Sequence, residues 1–578
     1  MAPVLLGRQR RREPTFSTPL LLLLLGLRLG SARPGSASGA LPTQVVDLRT
    51  QPPPAVLAAQ VCAGLLNRDP SGPPVYTLMR PEDSTWLQIV EPSLPSPPPL
   101  APLAALFSRC FSAAAGGRTI RYNFTAQQTL VPNLLTLAAL LDAVPLEDGS
   151  PFAPASPVLA YDAVAGWAGF SPLAATTFMF AHPLFNATTS MAKMNPGWDV
   201  HGHPLDPSPP LSFLPDLSLG DWIVKQRLFN FFLLEGCIPG TPERALVDAM
   251  SLANPWPRPI VVWGYDDTWP IAGDLFEAET TCDGAHNMGQ VATVGVNNLA
   301  YFSRAPAVAA PLPQPPPPPF AFNASKTYLS IVVGDGDNIA MVKAARQQWV
   351  ANRTARCAGG GCFPLLWTLS PHLLDAAPDL LRWFFAAGAA TRRDWFVLPP
   401  SGHLYAYPAL MGGADQARFV AATEADARLF GTCATVEWEF FGTWGGAFAD
   451  YYPRYGAANV VRALFAVNVP YMAPVAEFAP GQLSRVVNGT TIVFAPNEWR
   501  GTSGSADPLL HPFLLSPAEM AARIAGYPRG TATAVYVTSD GGADMGDVDA
   551  LAAALQGSHV EIVEAEALVA AALARARL

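Results

Sequence analysis

Two aspartates and an asparagine lie directly after a hydrophobic stretch in the second half of the chain. The β-branched run 327–333 predicts a buried strand, and Gly334-Asp335-Gly336-Asp337-Asn338 follows it. Glycine lets the backbone turn sharply there, so the two carboxylates can converge. Such a pair could perform acid–base catalysis, or supply oxygen ligands to a divalent metal ion at Asp335 and Asp337; no other cofactor is expected. A turn with capping side chains explains the same residues without chemistry.

Acidic residues beside tryptophan form two later clusters, Glu437-Trp438-Glu439 and Glu498-Trp499. A carboxyl group against an indole ring is typical of a raised pKa and of sugar binding. Glycoside hydrolysis generally uses two carboxyl groups that flank the scissile bond. We therefore predict a catalytic pair in which Asp335 or Asp337 supplies one carboxyl group and Glu437 or Glu498 the other. Each of these acids could instead be an ordinary charge on a loop.

A third polar segment, Pro400-Ser401-Gly402-His403-Leu404-Tyr405-Ala406-Tyr407-Pro408, follows a predicted strand that ends at Leu398. Tyr405 and Tyr407 are two residues apart, so an extended backbone presents both rings on one face, where they can stack on a sugar. The predicted substrate-binding residues are listed together: Asn338, Ser401, Gly402, His403, Tyr405, Tyr407 and Trp438. The alternative interpretation is an aromatic loop that packs on the core.

These motifs resemble those of the GxGYxYP family of putative glycoside hydrolases. Gly402, Tyr405, Tyr407 and Pro408 match the name-giving signature, whereas Leu404 replaces its second glycine. Gly334 to Asn338 resembles the family's D-G-D-N segment, and Trp367-Thr368-Leu369-Ser370-Pro371 its W-x-x-S-P element. Residues 63–68 with 74–76, the Trp263-Gly264 pair and residues 297–299 are similar to the family's more N-terminal parts. The resemblance implies a carbohydrate-active enzyme, and the Leu404 departure calls into question any ligand approach that needs glycine there.

Two other functions fit the same residues. A metal-dependent, deacetylase-like hydrolase of sugar substituents would need imidazole ligands near Asp335 and Asp337, and His372 and His403 are the local candidates. A non-catalytic carbohydrate-binding protein is favoured by Leu404 alone. A serine nucleophile elbow and a phosphate-binding loop are excluded around these motifs, since their flanking residues are missing.

The elements that must position these residues alternate between strand and helix. This pattern predicts a multi-domain α/β protein with a C-terminal (β/α) barrel-like domain and smaller α/β domains before it. We expect an N-terminal α/β domain at 41–100, a middle α/β region of one or two subdomains at 101–310, a proline-rich linker at 311–320, and the GxGYxYP C-terminal domain at 321–578.

Composition and targeting signals indicate a lumenal or extracellular protein. Residues 1–32 combine a basic start, an apolar run and small residues, as a signal peptide does, with an uncleaved anchor as the alternative. Five N-x-[ST] sequons predict glycosylation at Asn123, Asn186, Asn323, Asn352 and Asn488. Cys357 and Cys362 flank a short glycine loop and are predicted to form a disulfide, and the odd total of 7 cysteines leaves at least one unpaired.

The partners that composition favours are carbohydrates rather than nucleic acids or membranes. The net charge of -9 and the lack of basic runs beyond the N-terminus argue against nucleic acid as a partner. No later stretch is long and apolar enough for a stable membrane span. We expect a secreted protein, or one of the endomembrane, lysosomal or vacuolar lumen.

Overall fold

The computed structural model describes residues 41–194, 215–253, 255–264, 275–358, 361–440, 442–467, 476–502, 513–539 and 542–577. The predicted signal peptide at 1–32 lies outside these ranges. Five sheets, most of them entirely parallel, make up the described part of the chain. No described helix has the length and apolarity that crossing a membrane requires.

The first elements form the β-α-β unit that the sequence predicts. They are β1 (Gln44–Asp47), α1 (Pro53–Leu66), β2 (Val75–Leu78) and α2 (Pro81–Val90). β1 and β2 pair in parallel. Proline opens both helices, where its missing N–H has no intrahelical partner to lose.

The middle region contains two further parallel sheets. Its first group of elements is α3 (Leu103–Ala113), β3 (Arg118–Arg121), α4 (Phe124–Gln127), α5 (Val131–Leu141), β4 (Val144–Leu146), β5 (Val158–Asp162), α6 (Ala163–Gly166) and α7 (Pro172–Phe180). The second group is β6 (Met191–Lys193), α8 (Gly220–Gln226), β7 (Phe229–Phe231), α9 (Pro242–Leu252), β8 (Ile260–Trp263), α10 (Leu275–Ala285), β9 (Met288–Val291) and α11 (Leu299–Phe302). The strand orders are β4-β3-β5 and β7-β6-β8-β9.

The C-terminal region also contains two sheets. The six-stranded sheet is wholly parallel and has the order β12-β11-β10-β18-β17, with β19 paired to β10. Its strands are β10 (Thr327–Val333), β11 (Leu365–Thr368), β12 (Asp394–Val397), β17 (Glu498–Trp499), β18 (Ala532–Val537) and β19 (Val560–Ile562). The four-stranded sheet has the order β13-β14-β16-β15, with β15 antiparallel, and its strands are β13 (Ala434–Trp438), β14 (Ala463–Val467), β15 (Ser484–Val487) and β16 (Thr491–Phe494).

Helices and π-helical turns surround these strands. The helices are α12 (Ile339–Met341), α13 (Gln347–Cys357), α14 (Leu373–Ala376), α15 (Pro378–Thr391), α16 (Gly413–Phe430), α17 (Trp444–Gly446), α18 (Pro517–Ala525), α19 (Met545–Leu555) and α20 (Ala565–Ala576). π-helical turns follow α12 at Val342–Arg346 and α17 at Ala447–Tyr451.

The predicted α/β class and its mostly parallel strands are confirmed, but the predicted barrel-like form of the C-terminal domain is not. The two C-terminal sheets meet at one isolated parallel bridge between Leu398 and Thr435, and β16 leads within a few residues to β17 in the other sheet. Inward-facing side chains of both sheets form one apolar cluster with α20. Hydrogen bonds of the described residues do not close this arrangement into a barrel.

The proline-rich segment at 311–320, predicted as a linker, lies against the C-terminal region. The backbone N–H of Leu312 donates to the carbonyl of Leu429. The Gln314 amide donates to the Phe396 carbonyl at 2.7 Å, and the Trp395 indole donates to Pro315 at 2.9 Å. These contacts fasten the segment to β12 and α16.

Contacts between regions place the middle sheets beside the C-terminal strands. Gln290 of β9 exchanges two backbone hydrogen bonds with Tyr405, of 2.8 and 2.9 Å. Lys343 forms a fully buried ion pair of 3.2 Å with Asp83 of α2. The motif segment around Tyr405 therefore extends the edge of the β7-β6-β8-β9 sheet.

Three disulfides are formed: Cys62–Cys110, Cys237–Cys282 and Cys357–Cys362. The prediction of a local Cys357–Cys362 bond is confirmed. The remaining thiol is Cys433, which is buried.

Candidate functional site

Polar side chains converge where β10, β17 and β18 end. Val333 pairs with Val537, and Glu498 pairs with Tyr536. Since parallel strands end at the same edge of a sheet, the segment after Val333 meets Glu498 and the residues after Val537. We call this the carboxyl-edge cluster: Asp335, Asp337, Glu498, Arg500, Tyr536, Thr538 and Ser539.

Asp335 is held rigidly within this cluster. Its backbone has φ +60°, in the left-handed region that aspartate tolerates better than most residues. Its Oδ2 accepts hydrogen bonds from the backbone N–H and the hydroxyl of Ser539, the latter at 3.0 Å. Its N–H donates to the Tyr536 hydroxyl at 3.1 Å. The carboxylate is therefore fixed to the end of β18.

Asp337 and Asn338 differ in their surroundings. The Asn338 Oδ1 accepts the Met341 N–H at 3.2 Å and caps α12, so the predicted substrate-binding amide is occupied by the fold. The Asp337 side chain is half-buried. Its charge acts on the Tyr536 hydroxyl and the Arg346 guanidinium.

Glu498 has a carboxyl oxygen without a partner. Its side chain is 1% exposed, and Oε1 accepts from the Thr538 hydroxyl at 2.7 Å and from Arg500 Nε at 2.9 Å. Oε2 has no hydrogen-bond partner among the described residues. Burial raises the pKa of Glu498, with Arg500 acting against the shift and the Asp335 charge adding to it. The raised pKa makes Glu498 a candidate proton donor within the carboxyl-edge cluster.

Arg346 stabilises the backbone that carries the carboxyl-edge cluster. Its guanidinium is buried and donates to the carbonyls of Thr368, at 2.8 Å, and of Gly334. Burial lowers the pKa of Arg346 to about 10, whereas Asp335 opposes the shift most strongly. At neutral pH the residue remains cationic and ties the ends of β10 and β11 together.

Gly336 is required by close packing at the same place. A Cβ at this position would lie 1.8 Å from the Thr368 carbonyl oxygen. Any side chain at position 336 would therefore push the ends of β10 and β11 apart. Because Gly336 has none, Asp335 and Asp337 can lie close to β11.

Glu437 and Glu439, although equally buried, lie outside the carboxyl-edge cluster. Both oxygens of Glu437 accept tyrosine hydroxyls, from Tyr455 at 2.8 Å and from Tyr451 at 3.2 Å. Glu439 accepts the Ala409 N–H and the Thr443 hydroxyl. Burial raises the pKa of both glutamates well above the usual range.

The signature segment is largely built into the core. The Ser401 hydroxyl donates to the Ala406 and Trp438 carbonyls and accepts the Trp438 N–H. Gly402 has φ +92°, and a Cβ there would lie 2.4 Å from Thr423 on α16. Ser401 and Gly402 therefore join the loop to β13 and α16, and their predicted role in substrate binding is not visible in these contacts.

The aromatic rings predicted as a sugar platform are mostly covered. Tyr405 is 4% exposed and Tyr407 is fully buried. Tyr405 packs edge-on against Trp438, with ring centroids 5.3 Å apart, and Trp438 alone of the three keeps a half-buried ring. Leu404, which replaces the signature glycine, is buried over Gly289 of β9. Leucine at this position thus packs against the middle region.

The His403 side chain contacts residues outside the carboxyl-edge cluster. Its Nδ1 lies 2.7 Å from the Asp426 carboxylate, and its ring packs against His372. His372, His403 and Asp426 line a cavity to which the middle region also contributes. Their contacts are therefore distinct from those of Asp335.

The five sequon asparagines are all exposed, as glycan attachment requires.

Several residues of the carboxyl-edge cluster escaped the sequence analysis. Thr538 and Ser539 directly follow the hydrophobic strand at 532–537, and this position at a strand end is the sequence feature that could have identified them. Arg346 and Asp426, which lie outside the cluster, were missed as well, because both are within helical segments, where nothing local distinguishes them from solvent-facing charges.

Comparison with known proteins gives a family and a fold. None of the curated proteins matches the chain. A crystal structure of a putative hydrolase from Bacteroides thetaiotaomicron is similar, with a TM-score of 0.70, 18% sequence identity, and coverage of 93% of this chain and 95% of that one. At this identity the likeness establishes the fold alone. Residues 325–451, which include Asp335 and the whole signature segment, match the GxGYxYP putative glycoside hydrolase C-terminal domain.

Proposed function

We propose that the protein hydrolyses glycosidic bonds of a poly- or oligosaccharide at the carboxyl-edge cluster, with Glu498 and Asp337 as the catalytic pair. The observation that carries this proposal is the buried Glu498 carboxyl group with one oxygen lacking a partner. The family of residues 325–451 supports a sugar substrate.

Glu498 acts as the general acid. Its raised pKa keeps the carboxyl group protonated at higher pH than usual, and the buried Oε2 has no hydrogen-bond partner among the described residues, so we assign the transferred proton to this oxygen. In the first step the glycosidic oxygen takes this proton while the bond to the anomeric carbon breaks. Arg500 and Thr538 hold the other oxygen and so orient the group.

Asp337 supplies the second carboxyl group. Asp335 accepts two hydrogen bonds from Ser539 at Oδ2, so we assign it a positioning role, whereas Asp337 lies on the same turn and is half-buried. Its carboxylate stabilises the developing positive charge at the anomeric carbon, as nucleophile or as base for water. The anomeric configuration of the first product distinguishes these two roles.

The deacetylase-like alternative is less well supported. It needs imidazole ligands at Asp335 and Asp337, but His372 and His403 line a different cavity. A divalent cation at the two aspartates stays a prediction, which metal analysis of the purified protein would test.

We propose that the protein acts in an oxidising compartment. Three disulfides persist best in secreted or endomembrane proteins, and the exposed sequons fit glycosylation there. Secretion and glycan attachment can be read from the mass and N-terminus of the protein recovered from culture medium.

The experiment that tests the function is a turnover screen of purified protein against polysaccharides and aryl glycosides. Glu498→Gln and Asp337→Asn should each lower kcat by about 10²–10⁴-fold, the usual contribution of a positioned acid or base. Glu437→Gln is the matched control, since it changes a buried glutamate outside the cluster and should leave kcat unaltered.

Equal activity of Glu498→Gln and the wild type would overturn the catalytic assignment. A wild-type protein that binds sugars but turns over none of them would instead favour a non-catalytic carbohydrate-binding protein. Loss of activity in Glu437→Gln, with the fold intact, would move the catalytic carboxyl group to β13.

A further inference from the structure

A cavity of about 450 Å³ lies between the middle and C-terminal regions. Its volume falls within the range of about 300–1,000 Å³ that is typical of small-ligand pockets. Trp222 of α8 and Trp263 of β8 contribute from the middle region, and His372, His403 and Asp426 from the C-terminal region. It contains none of the residues of the carboxyl-edge cluster.

A continuous row of rings forms one wall. Trp222 packs against Trp263 with centroids 5.0 Å apart, Trp263 against His372 at 5.5 Å, and His372 against His403 at 5.0 Å. Each contact is tilted or edge-on, so successive rings turn and line a curved surface. Trp222 and Trp263 are 3% and 6% exposed, so only the small part of each ring that lines the cavity can contact the apolar C–H face of a pyranose ring.

The polar groups on this wall have fixed orientations. His403 Nδ1 lies 2.7 Å from Asp426 Oδ2, and a carboxylate can only accept, so Nδ1 carries the hydrogen. His372 Nε2 lies 3.0 Å from the His403 carbonyl and donates to it for the same reason. Burial lowers the pKa of His372 to about 3, so this imidazole is neutral and its Nδ1 is an acceptor. The wall thus offers oriented acceptors for hydroxyl groups.

The charges around the cavity select against anions. Asp375 and Asp426 line it, and neither lysine nor arginine does so among the described residues. A phosphate or uronate would meet two carboxylates without a compensating cation. A neutral ligand with an apolar face and hydroxyl edges fits both the rings and the acceptors.

We propose that this interdomain cavity is a separate binding subsite for a neutral saccharide unit, oriented by Asp426 through His403 and packed on Trp263. The proposal rests on the proposed function for its substrate class. It assigns the cavity to a sugar unit away from the bond that is cleaved, since His372 and His403 follow β11 and β12 whereas Glu498 lies on β17.

The test is calorimetric titration of the full secreted protein, in its Glu498→Gln form to prevent turnover, with cellohexaose, maltohexaose and chitohexaose. Spermidine serves as a cationic comparison. Adding Asp426→Ala or His403→Ala should weaken binding of the preferred hexasaccharide at least tenfold. Gln226→Trp, which fills the cavity from its middle-region wall, should do the same without altering the imidazoles. Asp450→Ala, an exposed aspartate on the π-helical turn after α17, is the matched control and should bind normally.

Unchanged affinity in Gln226→Trp and Asp426→Ala would overturn the subsite, whatever the outcome for catalysis. Absence of binding to all three hexasaccharides, or tighter binding of spermidine, would overturn it as well. Binding that is lost in these variants, in a protein without any turnover, would uphold the subsite while the catalytic proposal fails. A melting temperature equal to that of the parent protein is required of each variant.

Discussion

The dipeptide Glu-Trp occurs at two strand ends, and the two copies differ in the surroundings of both side chains. At β17, Glu498 lies on the side of Tyr536 and the carboxyl-edge cluster, while Trp499 is fully buried and its indole donates to Leu515. At β13 the arrangement is reversed, because Trp438 is half-buried beside Tyr405 and Glu437 faces two tyrosine hydroxyls.

The difference shows how burial alone fails to identify a catalytic acid. Burial raises the pKa of both glutamates. Glu437 has a hydrogen bond to each oxygen, whereas Glu498 has a neighbouring arginine and one oxygen without a partner among the described residues. Both oxygens of Glu437 therefore already contribute to packing, whereas one oxygen of Glu498 is not used in this way.

The largest expected effect is on backbone packing in the two regions that contain the glutamates. Gly336→Ala places a Cβ 1.8 Å from the Thr368 carbonyl and should destabilise the protein by about 3 kcal/mol or more, with a matching fall in melting temperature or secretion. Gly446→Ala, on α17 near Tyr451, meets no atom within 4 Å and should be tolerated. Equal melting temperatures for the two variants would mean that the strand ends are not tightly packed.

The next effect concerns the hydrogen bonds of Glu437. Glu437→Ala leaves the Tyr451 and Tyr455 hydroxyls without their acceptor and should cost about 1–3 kcal/mol of unfolding free energy. Glu437→Gln keeps an acceptor oxygen and should retain most of the stability. Thermal melts of both variants provide the measurement, and an alanine variant as stable as the wild type would contradict the packing role.

A smaller effect is the pH dependence of stability at the same residue. The pKa of Glu437 is raised by burial, with Glu439 adding to the shift and the tyrosine hydroxyls opposing it. The folded state therefore binds the proton more tightly than the unfolded chain does, so this stabilisation is complete below the ordinary pKa of 4.5 and is lost as the pH rises through the folded value.

Glu437→Gln has no such titration. Its melting temperature, relative to the wild type, should increase steadily as the pH is raised above 4.5. Glu561→Gln, which changes an exposed glutamate of β19, is the matched control. A flat difference for Glu437→Gln would show that its carboxyl group titrates normally.

The smallest effect should appear in the pH profile of the proposed activity. A general acid must be protonated, so kcat should fall as the pH rises through the raised pKa of Glu498. Arg500 stabilises the charged form, and Arg500→Gln should move this alkaline limb to higher pH, whereas Arg500→Lys should keep it in place. An alkaline limb that moves to lower pH in Arg500→Gln would contradict the role of Glu498.

Much of the fold was predictable because it follows from local patterns. β-branched runs between glycine and proline predict the strands at 327–333 and 532–537, and prolines at the first helical positions predict several helix starts. The Cys357–Cys362 bond was predictable because few residues separate the two thiols. The Cys62–Cys110 and Cys237–Cys282 bonds were not, since distant cysteines admit many pairings.

The candidate site was predictable only in outline. The position of Asp335 and Asp337 after a buried strand followed from the sequence, because residues after parallel strands gather at one edge. The burial of Tyr407 and the separation of His403 from Asp335 depend on how the signature segment pairs with β9, which no local pattern reveals.

By itself, the sequence determined the α/β alternation, the strand-end positions of the acids and the resemblance of residues 325–451 to the GxGYxYP domain. Only the tertiary structure decided that Glu498 keeps an oxygen without a partner among the described residues, which tryptophan stays accessible, and that His403 joins Asp426 in a cavity between the middle and C-terminal regions. The physical reason is that strand facing and hydrogen-bond saturation depend on partners from distant segments, which become neighbours only when the sheets are assembled.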